Sequence, residues 1–194
     1  MGALGFNVVR LQDRRIEILG NMERFRDQGE TMCDAAEYLE LAGKRQEAAG
    51  YYQRARDVGA AHGFFSVECT ACIGLGTVAM TEGRHEEGVN LLRNALAAWS
   101  LREDEDDTYM ELQVLAPLTD ALFQTHEIDE VEPLVLRYQE TAEAQSRKAG
   151  RLCYWELDSL YTSARLLEVG NPSTPRLPSF RQGTPSVRGS SRPE

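Results

Sequence analysis

Two stretches forty residues apart decide how this chain folds: Gly43-Lys44-Arg45-Gln46-Glu47-Ala48 and Gly83-Arg84-His85-Glu86-Glu87-Gly88. Each opens on a glycine that ends one segment, passes through charged and polar residues that start the next, and reaches a small residue at the sixth place. The spacing then continues alike, with Ala48 followed by Tyr52 and Ala55, and Gly88 by Leu92 and Ala95. Eight residues before each loop glycine stand Ala35-Ala36 and Leu75-Gly76. A third copy follows 43 residues later with Leu118-Thr119, His126, Val131, Val135 and Tyr138, and a partial fourth with Leu157-Asp158 and Tyr161. Units that recur at a fixed period bury their apolar faces on one another, so the chain is expected to stack as an array.

Between these landmarks the apolar residues recur at spacings of three and four, as in Tyr51, Tyr52, Ala55 and Val58, or Leu91, Leu92, Ala95 and Leu96. That is the period of an amphipathic helix, and no alternating β-branched run competes with it. Up to Gly170 only Pro117 and Pro133 interrupt, Pro117 inside a helix and Pro133 in the first turn or so of one. Breaks are expected at 42–44, 59–63, 82–84, 102–107, 125–126 and 148–150, leaving helices of about 13 to 20 residues. Short connections force neighbours to pack antiparallel. The fold class is therefore all-α, with helical repeats over 29–170. Residues 1–28, carrying Val8, Leu11, Ile18, Met22 and Phe25, form an N-terminal helical segment that reads as one or two helices, or as the second helix of an earlier, degenerate repeat.

Composition sets limits on function. The 194 residues hold 21 Lys and Arg against 31 Asp and Glu, a formal net charge of −10. The charge is uneven: residues 171–194 contain four arginines and one acid, which leaves 17 basic and 30 acidic side chains in 1–170. An acidic body argues against nucleic acid, whose phosphates need a basic face. No apolar run has the length of a membrane span. The start, Met1-Gly2-Ala3-Leu4-Gly5-Phe6, has no basic region ahead of a long apolar one, and Phe6 stands where myristoylation wants Ser or Thr. Four cysteines without a secretory signal fit reduced thiols in the cytoplasm.

No catalytic constellation emerges. Cys69-Thr70-Ala71-Cys72 is a CxxC within a helix, with no second pair and no His at ligand spacing, so the two cysteines read as small packing residues. His62, His85 and His126 lie in or beside loops at unrelated spacings, and Gly74-Leu75-Gly76 lacks the third glycine and the strand of a nucleotide loop. Glu103-Asp104-Glu105-Asp106-Asp107 is consecutive, unlike the alternating acids of a calcium loop. No cofactor and no metal are expected.

The stretch Cys72-Ile73-Gly74-Leu75-Gly76-Thr77-Val78-Ala79, followed by Gly83, Gly88, Leu92 and Ala95, resembles the tetratricopeptide repeat family, and Gly43, Ala48, Tyr52 and Ala55 repeat the pattern. The resemblance covers about residues 30–168, and its forty-residue period is similar to the long-helix branch of kinesin light chains, rapsyn and the spindle-orientation adaptors. It implies a right-handed α-solenoid of about three and a half helix pairs whose first helices line a concave groove. The groove residues it implies are Asp34, Glu37 and Glu40; Ile73, Thr77 and Met80; Asp120 and Phe123; and Trp155, Glu156, Ser159 and Thr162. Such a lining, acidic and partly apolar, suits a protein partner presenting a basic, apolar peptide or helix, and disfavours an acidic C-terminal peptide. The expected role is a non-enzymatic interaction adaptor. A structural subunit of a larger assembly and a helical regulatory portion of an enzyme or sensor remain open beside it.

From Asn171 the chain holds five of its seven prolines with only Leu177, Phe180 and Val187 to bury, so 171–194 is expected to be disordered. Thr174-Pro175 and Thr184-Pro185 fit proline-directed phosphorylation, Ser179 and the 188–191 stretch fit basophilic kinases, and 175–178 is a PxxP.

Overall fold

A computed structural model describes residues 2–100 and 108–170, and among them every regular element is a helix. Eight follow one another: α1 (Gly2–Asn21), α2 (Phe25–Leu41), α3 (Arg45–His62), α4 (Phe65–Thr81), α5 (His85–Ser100), α6 (Thr108–Thr125), α7 (Ile128–Ala149) and α8 (Tyr154–Gly170). The expectations for the 171–194 tail, with Thr174, Ser179 and Thr184, and for the acidic run at 103–107 lie outside the described residues.

The breaks follow from backbone conformation. Gly43, Gly63, Gly83 and Gly150 hold φ between +64 and +79°, the left-handed conformation that ends a helix and that a Cβ disfavours. His126 takes the same conformation at φ 62° where the first two copies have glycine, and Glu23 does so at φ 56° between α1 and α2. The latter turn puts Phe25 at the start of α2, so the first helix ends before residue 28. The break expected over 59–63 narrows to Gly63. Gly59 stays helical, and a Cβ on it would lie 2.8 Å from the Glu68 backbone nitrogen, so it serves close approach of α3 to α4. Pro117 is accommodated inside an unbroken α6, and Pro133 falls in the second turn of α7.

Pairs α2/α3, α4/α5 and α6/α7 pack antiparallel, each second helix then packing on the next pair. The backbones of α2, α4, α6 and α8 also approach one another in order, whereas among the described residues those of α3, α5 and α7 stay apart. First helices thus form one continuous face, and second helices fan out behind them. Small residues at the aligned positions set the distances within pairs: a Cβ on Gly76 would reach 2.7 Å from Leu92, and one on Gly88 2.7 Å from Met80. Cys69 and Cys72, both buried, make room for Trp99 of α5, which packs with them, Ala95 and Val114.

Candidate functional site

On α2, Glu30, Asp34 and Glu37 recur at one-turn spacing and all stand exposed. Among the described residues no basic side chain ion-pairs with Asp34 or Glu37. Partial burial raises the Glu37 carboxyl above its usual range, and the neighbouring Asp34 and Glu40 raise it further. Burial also raises Glu40, against the hydrogen bond it accepts from the Tyr52 hydroxyl at 2.7 Å and the charge of Arg45. Beneath them the Cys33 thiol is pushed up to about 12 by burial and then by Glu37, Asp34 and Glu30. It stays a protonated thiol and lacks nucleophilic character.

On α4, Ile73, Thr77 and Met80 are half-buried. Ile73 and Met80 pack against the cluster of Leu92, Leu118 and Leu122, so each shows part of an apolar side chain anchored from below. Gly74 lies between them over Tyr52, whose ring leaves no space for a Cβ: the Tyr52 Cζ would be 2.2 Å away. The ring thereby joins the two copies and delivers its hydroxyl to Glu40.

The third and fourth copies differ from the sequence expectation in what they display. Asp120 is paired with Arg165 of α8, and the same guanidinium lies 4.4 Å over the Phe123 ring. Phe123 is 7% exposed, so the acid is answered and the aromatic covered from within the chain. Trp155 sits half-buried among Tyr109, Tyr138 and Tyr154, with edge-on ring centroids at 6.1, 6.5 and 5.4 Å. Ser159 is fully buried and Thr162 nearly so, each donating its hydroxyl to its own helix, to the Glu156 and Asp158 carbonyls. Glu156 is half-buried. Of the expected groove residues, Asp34 and Glu37 are exposed and Glu40, Ile73, Thr77 and Met80 half-buried. Sequence reasoning missed Glu30, legible one turn before Asp34, and Arg165, whose contact spans 45 residues with no local signal.

His62 is stacked 4.0 Å from Phe25 and 5.9 Å from Phe64. No cysteine is in a disulfide. Among the described residues no three His, Cys, Asp or Glu side chains converge as metal ligands, and no helix is long and apolar enough to cross a membrane.

Helix pairs stepping by about forty residues, with first helices lining one face and small residues at the crossings, constitute a TPR-like repeat fold. Two solved structures of a putative kinesin light chain with nearly identical TPR-like repeats from Podosopora anserina are similar to it. One gives a TM-score of 0.60 and the other, of a variant, 0.62; both are 18% identical and cover 87% of this chain and 80% of theirs. No family model and no curated protein matches the sequence.

Proposed function

We propose that the chain is a non-catalytic interaction scaffold that holds a partner peptide or helix, carrying Arg or Lys beside an apolar anchor, on the face formed by α2 and α4. The carrying observation is the acid row Glu30, Asp34, Glu37 and Glu40 on α2, with half-buried Ile73 and Met80 on the neighbouring first helix α4. Mutual repulsion and burial already raise Glu37, so an arriving cation relieves a cost the free protein bears. The row also draws a basic partner in and rejects an acidic one. The internal pairing of Asp120 with Arg165 moves this reading toward the N-terminal half of the face. With no disulfide among its cysteines, the chain suits a reducing, cytoplasmic setting.

The test is fluorescence anisotropy with labelled helical peptides that vary in Arg/Lys content and apolar anchor. Affinity should fall as salt rises, and Asp34→Lys with Glu37→Lys should weaken it by about tenfold or more. Binding that ignores both salt and these reversals sinks the proposal.

A further inference from the structure

The two outermost described helices are apolar on two faces. On α1, Val9 and Ile16 pack into the core with Met32 and Leu39, while Leu11, Ile18 and the adjoining Met22 are 68%, 48% and 60% exposed. The two stripes are two residues out of phase, which on a helix of 3.6 residues per turn is nearly opposite. Two stripes on different sides occur on α8 as well. Trp155, Ser159, Thr162 and Leu166 turn inward, while Leu157, Leu160 and Leu167 are 54%, 48% and 74% exposed. A helix apolar on both sides is patterned to be covered on both sides. The aligned residues of α6 show what covers such a stripe: Leu118 and Ala121 are buried against Val131 and Val135 of α7, the second helix of their pair. The corresponding Leu157 and Leu160 have no such helix among the described residues.

We propose that the exposed apolar stripe of α8 in one copy packs on the exposed apolar stripe of α1 in a second copy, so that copies join end to end. Antiparallel packing sets Leu11 against Leu167, Ile18 against Leu160 and Met22 near Leu157, because both stripes space their outer members seven residues apart. Charge favours this pairing over two α8 helices. Helix α1 carries three arginines against two acids, whereas α8 carries three acids against one arginine, Arg165, which Asp120 already holds. Two α8 helices would oppose acid to acid. The contact is head-to-tail, so each copy can join two others and the assembly grows with concentration.

The experiment is light scattering coupled to size exclusion over a wide concentration range, with the full chain, Ile18→Glu and Leu160→Glu. The average mass of the wild type should rise with concentration, and each variant alone should remain a monomer with unchanged helical circular dichroism. An equimolar mixture of the two variants should form a complex that stops at two copies, since one retains only α1 and the other only α8. A cysteine pair, Ile18→Cys on one copy and Leu160→Cys on another, should cross-link under mild oxidation. A wild type that is monomeric throughout overturns the proposal. So does self-association of Ile18→Glu alone, which would mean α8 meets α8, or association appearing only when 171–194 is removed, which would mean the tail covers α8.

Discussion

Adding one methyl group at Gly74 should destabilise the protein, whereas the same methyl at Gly50 should stabilise it. Both glycines lie inside helices, where Gly→Ala ordinarily gains about 0.5–1 kcal/mol from backbone entropy and helix propensity. At Gly50, exposed on α3, a Cβ meets nothing within 4 Å, so that gain stands. At Gly74 the Cβ would lie 2.2, 2.4 and 2.5 Å from Tyr52 Cζ, Cε2 and Cε1. Carbon atoms in contact prefer about 3.5–4.0 Å, so more than an ångström must be found. The ring cannot supply it, being 2% exposed and tethered through its hydroxyl to Glu40. Overpacking of this kind costs about 1–3 kcal/mol, which outweighs the propensity gain and separates the two variants by a similar amount. Urea unfolding followed by circular dichroism reads the difference as opposite shifts of the midpoint. Repeating Gly74→Ala on a Tyr52→Leu background, which removes the far ring atoms, should abolish the penalty. If Gly74→Ala shifts the midpoint upward as Gly50→Ala does, α3 does not pack on α4 through this ring and the spacing between copies needs another cause.

Three further outcomes are accessible to the same assay. His126→Gly should stabilise by about 0.5–1 kcal/mol, because a left-handed non-glycine residue costs about 1–2 kcal/mol and glycine's entropy returns part of it; Gly83→Ala should do the reverse. Trp99→Ala should cost about 3–5 kcal/mol, since Cys69 and Cys72 are too small to refill the space, and a much smaller loss would mean that pocket collapses. Glu37 is raised in the folded state above 4.5, so its contribution to stability is fully present below that pH and is lost as pH rises through the raised value. Glu37→Gln should therefore be more stable than wild type at neutral pH, by under about 1 kcal/mol for so exposed a group, with the gap closing toward pH 4; a gap independent of pH would remove the electrostatic explanation.

The extent to which sequence disclosed this structure depends on the range of the interaction involved. The turns at Gly43 and Gly83 were legible because a left-handed residue and the helix start after it lie within a few positions. His126 was legible only through alignment, since nothing about a histidine announces positive φ. Gly59 misled for the converse reason: its glycine serves a neighbouring backbone rather than a turn, and a single chain position does not distinguish the two uses. At the candidate site, the acid row on α2 is local and readable at one-turn spacing, and Cys72 reads as small. That Trp99 fills the space beside Cys72, and that Arg165 crosses 45 residues to Asp120, depend on how pairs stack, which periodicity leaves open. The distinction bears on function directly. Counted along the sequence, Asp120 belongs with Asp34 and Glu37 as groove charge. Placed in the stack, it is paired with Arg165, which leaves Asp34 and Glu37 as the acids of that set without an ion pair among the described residues.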